Sequence, residues 1–125
     1  MIASLFVLAL AAAPPGQDTP TPQACVAVYG ALGEVQLSVN TDDSVLERRY
    51  ATYGAIDFAG RAQALADKVG DPGLIGRSEG LESALYVRLI GAQNAGEPNS
   101  ADVKDIGALE QACDGTFDFE PTLAR

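Results

Sequence analysis

Two cysteines, Cys25 and Cys113, are the pair whose type and placement most directly imply chemistry. They are too far apart for a CxxC redox motif, so thioredoxin-type exchange has no support, and the chemistry left to them is a structural disulfide. Carboxylates are the next candidates, because glycoside hydrolysis runs on two of them, one raised in pKa by burial. Most acids here stand where helix capping and solvation account for them: Asp42, Asp43, Glu79 and Asp102 in first turns, and Glu34 opposite an apolar stripe. Asp57 lies in line with Tyr50 and Tyr53, with Arg61 four residues on, the spacing of an intrahelical ion pair. Asp114, Thr116, Asp118 and Glu120 alternate as in an oxygen-rich calcium loop. However, Phe119 takes the position where such a loop needs glycine, and Arg125 stands where a closing glutamate belongs. An acidic terminal tail is the simpler reading.

The chain contains no histidine and no tryptophan, and its single methionine is Met1. Neutral-pH general bases, haem ligands and di-iron ligands are therefore missing, and no glycine-rich phosphate loop is present. The expectation is no catalytic residue, no cofactor and no metal. Seventeen acidic against eight basic side chains give a net charge of −9, which opposes nucleic acid and anionic membrane surfaces as partners.

At 125 residues the chain has room for one domain. It opens with an apolar run, Met1 to Leu10, followed by Ala11-Ala12-Ala13-Pro14-Pro15. That is the order of a secretory signal, although no basic residue precedes the run. A transmembrane helix needs about 20 apolar residues, so a stable membrane anchor is not expected. Proline just after Ala13 would hinder cleavage there and favours a cut after Ala11. The division is a signal peptide at 1–11, a Pro-rich tether at 12–21, and a helical bundle domain at 22–125 with a short extended C-terminal tail.

Helix signals fill the domain. Thr21 and Pro22 start a first helix whose stripe is Cys25, Val28, Tyr29, Leu32, Val35 and Val39, and Gly30 and Gly33 invite close packing. Thr41 to Ser44 start a second, which runs to Gly70 with a phase slip, read as a bend, at Gly54. Ser78 caps a third, apolar over most of its circumference through Leu81, Ala84, Leu85, Leu89 and Ala92 and therefore expected to be the most buried. Asn99 or Ser100 caps a fourth, with Val103, Ile106, Leu109 and Cys113 on its face and Gly115 as its stop. The expected fold is all-α, a four-helix up-down-up-down bundle with a bent second helix. In that topology the start of the first helix and the end of the fourth share a pole, which permits a Cys25–Cys113 bond. The four tyrosines are expected to pack in the core with hydroxyls at its boundary, and Phe117 and Phe119 to fold back over the same pole.

These readings converge on a non-catalytic, exported, small acidic helical protein, located in the periplasm or outside the cell, that binds a protein partner the residues do not name. The alternative is an acid- or stress-activated periplasmic holdase. Without histidine, such a switch would have to work by protonating carboxylates at strongly acidic pH.

Overall fold

Thr21 opens the first helix as expected, its hydroxyl accepting the Ala24 N–H at 3.1 Å while Pro22 sits at the first helical position. The computed structural model describes residues 19–50 and 52–122. The signal-peptide and most of the tether assignments fall on residues outside that range. The chain is all-helical, with no strand among the described residues. Its helices are α1 (Pro22–Ser38), α2 (Val45–Arg49), α3 (Phe58–Lys68), α4 (Leu74–Arg77), α5 (Glu79–Ala95) and α6 (Ala101–Phe117). None is long and apolar enough to cross a membrane.

The most buried helix is α1, not the third long helix. Cys25 through Tyr29, Ala31 and Leu32 are wholly inaccessible to solvent, because α3, α5 and α6 all pack against α1. Small residues make this possible: a Cβ on Gly33 would lie 3.0 Å from the Ala59 backbone nitrogen, and one on Gly30 would overlap the Glu82 carboxyl. By contrast, α5 buries Leu85, Leu89 and Ala92 and leaves Leu81 and Val87 exposed. Apolar residues around a helix do not by themselves supply neighbours on every side.

The expected bent second helix is instead four short pieces: a 3-10 turn at Thr41–Asp43, α2, a second 3-10 turn at Tyr53–Ala55, and α3. Each break is held by a specific polar contact. Ser44 caps α2 by accepting the Leu46 N–H, and Tyr50 then turns extended, at φ −109° and ψ 134°. Gln36 donates from Nε2 to the carbonyls of Tyr53 (2.8 Å) and Ile56 (2.7 Å), and Glu47 accepts the Gly54 N–H at 3.0 Å. Asp57 accepts the Gly60 N–H at 2.9 Å as the cap of α3. The break lets both Tyr50 and Tyr53 turn inward and be buried.

Three further helix ends differ from or agree with expectation for visible reasons. Ser78 does not cap α5; it is buried and donates to the Leu74 carbonyl at 2.7 Å, so the short α4 leads directly into α5. Gly96, at φ 69°, closes α5 in the left-handed conformation glycine favours. Ser100 caps α6, but that helix runs through Gly115 to Phe117 and ends on Asp118 at φ 62°. Aspartate tolerates this region better than most residues, and the Phe119 N–H closes the end by donating to the Asp114 carbonyl at 2.9 Å. Cys25 in the first turn of α1 and Cys113 near the end of α6 form a disulfide, with Cα atoms 5.6 Å apart.

Candidate functional site

A stripe of Val103, Ile106, Glu110 and Cys113 runs down the inner face of α6, with Gly107 and Asp114 beside it. Two carboxyls one helical turn apart are thereby carried into the core, where Glu110 is 0% exposed and Asp114 1%. Tyr29 of α1 donates to Asp114 Oδ1 at 2.6 Å, and Arg61 of α3 donates to the same oxygen at 2.8 Å. Thr122, in the tail after α6, donates to Glu110 Oε1 at 2.6 Å. The Tyr50 hydroxyl is buried against the same helix without a hydrogen-bond partner among the described residues, 2.9 Å from where a Cβ on Gly107 would sit. Glycine is required there because the tyrosine has taken the space.

The second oxygens, Glu110 Oε2 and Asp114 Oδ2, lack any other hydrogen-bond partner among the described residues. One buried arginine cannot neutralise two buried carboxylates, and an uncompensated charge in this interior is costly. A proton on Glu110 resolves both problems, since it neutralises the surplus charge and hydrogen-bonds to Asp114. Burial foremost, and then the Asp114 hydrogen bond, push the Glu110 carboxyl up to about 9. Burial likewise raises the tyrosines: Tyr29, which also gives its proton to the Asp114 bond, Tyr50 and Tyr53. Their hydroxyls are inside the core, not at its boundary, while Tyr86 is half-buried.

A strap covers the cluster. Phe119 meets the Tyr29 ring edge-on at 5.5 Å, and the Arg61 guanidinium and the Lys68 ammonium lie 5.4 and 4.8 Å from its centroid. Lys68 also donates to the Phe117 carbonyl at 2.8 Å, and Thr52 to the Thr122 carbonyl at 2.9 Å. The two phenylalanines therefore fold back on the bundle. A carboxylic acid beside a carboxylate is the pairing of an acid–base catalyst, but here both groups are sealed under the strap, out of reach of a substrate.

Of the residues singled out in sequence, Cys25 and Cys113 meet. Asp57 and Arg61 do not, because Asp57 caps α3 and Arg61 pairs with Asp114. The calcium-like series disperses as well: Asp114 points inward, whereas Thr116, Asp118 and Glu120 are exposed. No group of three or more potential ligand side chains among the described residues is placed to hold a metal ion. Glu110 was overlooked, yet its signal was legible, since it lies four residues after Ile106 and three before Cys113, in the middle of the apolar stripe.

The outer surface carries a second constellation. Glu34 of α1 and Glu79, Glu82, Ser83 and Tyr86 of α5 line an open groove of about 350 Å³. Burial, and then repulsion from Glu34 and Glu79, raise the pKa of Glu82. None of these three glutamates forms an ion pair among the described residues. Ser38 and Tyr86 hydrogen-bond across the two helices at 3.0 Å, and close by in sequence Leu37 is 82% and Val87 67% exposed. Comparison with known protein families, with characterised proteins and with solved structures finds no match for this chain.

Proposed function

We propose that this protein is a non-catalytic interaction module, exported to the periplasm or beyond the cell, that holds a basic, apolar segment of a partner protein against the face shared by α1 and α5. The observation that carries this reading is the groove itself: three glutamates with no ion-pair partner among the described residues, repelling one another on the two helices that also carry the exposed Leu37 and Val87. A lysine- or arginine-bearing segment would relieve that repulsion while covering the exposed side chains. The up-down-up-down order of α1, α3, α5 and α6 belongs to the same proposal. It is supported by the disulfide between the start of α1 and the end of α6, which requires those two ends to share a pole. The disulfide is also consistent with an oxidising location.

The test is a titration of the isotope-labelled protein, followed by amide shifts, with a lysine-rich amphipathic peptide and with its glutamate-rich counterpart. The lysine-rich peptide should shift residues around Glu34, Leu37, Glu79, Glu82 and Tyr86, less so at high salt, and the combined E34Q, E79Q and E82Q replacement should abolish the effect. Shifts that persist in that variant, or that appear equally with the acidic peptide, would overturn the proposal.

A further inference from the structure

We infer that the C-terminal segment Asp118–Thr122 is a proton-controlled latch, seated when Glu110 is protonated and released when that carboxyl gives its proton to solvent. The inference stands on how the segment is attached. Most of the contacts that tie it to the body converge on the buried acid pair or its partners. Thr122 donates to Glu110, the Phe119 N–H donates to the Asp114 carbonyl, and the Phe119 ring lies on Tyr29 and beneath Arg61. Away from the pair, Lys68 lies over the Phe119 ring and Thr52 donates to the Thr122 carbonyl. Thr122 is bonded directly to the wholly buried Glu110 carboxyl, so the seat of the latch depends on that acid.

The groups facing Glu110 decide what its ionisation does. Asp114 on its own helix carries negative charge, and the Tyr29 and Tyr50 hydroxyls, from α1 and from the end of α2, are raised by burial and stay neutral. Among the described residues, Arg61 from α3 is the one cation donating into the cluster, and its guanidinium is already engaged by Asp114. Thr122 from the latch supplies a single hydroxyl donor. Ionising Glu110 therefore leaves a second carboxylate against the first with no cation to meet it. The nearest relief is water, and release of the Thr122 hydroxyl bonded to Glu110 is the step that would admit it.

Opening would expose the acid to solvent, where its affinity for the proton falls to that of an ordinary carboxyl. Each pH unit between that range and the raised value of about 9 then favours the open form tenfold, with no further effect beyond. No histidine adds a competing titration over the same interval.

Amide hydrogen exchange on the intact chain between pH 6 and pH 8, corrected for intrinsic rates, reads this directly at the Phe119 N–H. The expected result is protection well below that of core amides such as Leu32, falling about a hundredfold over those two units, and unchanged by pH in E110Q, whose amide can replace both hydrogen bonds. Protection of Phe119 equal to that of the core, independent of pH, or equally pH-dependent in E110Q would overturn the latch. Carboxyl-carbon NMR of Glu110 in the native chain needs no variant, and a titration midpoint in the usual carboxylate range would overturn it as well.

Discussion

Replacing Glu110 with glutamine should remove most of the dependence of global stability on pH near neutrality. Glu110 is neutral in the folded protein and ionised in the unfolded chain once the pH exceeds its ordinary value of 4.5, so unfolding releases one proton. Its contribution is fully present below that value and is lost progressively as pH rises to the folded value of about 9. Over this interval the slope is set by stoichiometry alone, about 1.4 kcal/mol per pH unit for one proton. From pH 6 to pH 8 the native protein should therefore lose about 2.7 kcal/mol. With a urea m-value of about 2 kcal/mol/M, that loss lowers the unfolding midpoint by about 1.4 M. No histidine adds a titration in this window. The assay is urea unfolding followed by helical circular dichroism at pH 6, 7 and 8, for the native chain and for E110Q. The glutamine variant should show a midpoint nearly independent of pH and should exceed the native protein in stability at pH 8. Parallel slopes in the two proteins would refute the assignment of the proton to Glu110. A native midpoint that rises with pH would refute the sign.

Three further outcomes follow from particular contacts. Reducing the Cys25–Cys113 bond, which spans 88 residues, should cost about 4.6 kcal/mol by release of chain entropy, measured by urea unfolding with and without a thiol reductant. Tyr29→Phe leaves the ring stacking intact but removes a hydrogen bond to the charged Asp114, and should cost about 1.5 to 3 kcal/mol in the same assay. Gly107→Ala should destabilise the native protein, since its Cβ would meet the Tyr50 hydroxyl at 2.9 Å. In a Tyr50→Phe background the same change should be neutral or stabilising, as alanine favours a helix by about 1 kcal/mol. A double-mutant cycle with no coupling between positions 50 and 107 would count against that reading.

Local chemistry was legible from residue order wherever the interaction is itself local. Thr21 and Pro22 starting α1, Ser100 starting α6 and glycine closing α5 involve partners within four residues, so the sequence contains both halves of each contact. The spacing of apolar residues likewise determined an all-helical chain and placed Cys25 and Cys113 on inward faces, because the helical period is a property of the backbone. The phase slip at Gly54 correctly marked a disturbance in the second helical segment, but not its size. Whether a chain bends or breaks depends on what receives the freed carbonyls, and here that is Gln36, 17 and 20 residues away in α1. The same holds for burial: Leu81 and Val87 look as apolar as anything in α1, and only the packing of α3, α5 and α6 around α1 decides which helix is enclosed. It holds most of all for the acid pair. Arg61 was assigned to Asp57, four residues before it, yet its partner is Asp114, 53 residues later. Tyr29, 85 residues before Asp114, donates to the same oxygen. A carboxyl's charge state is a property of the space it is carried into, and that space is assembled from residues the chain order keeps apart.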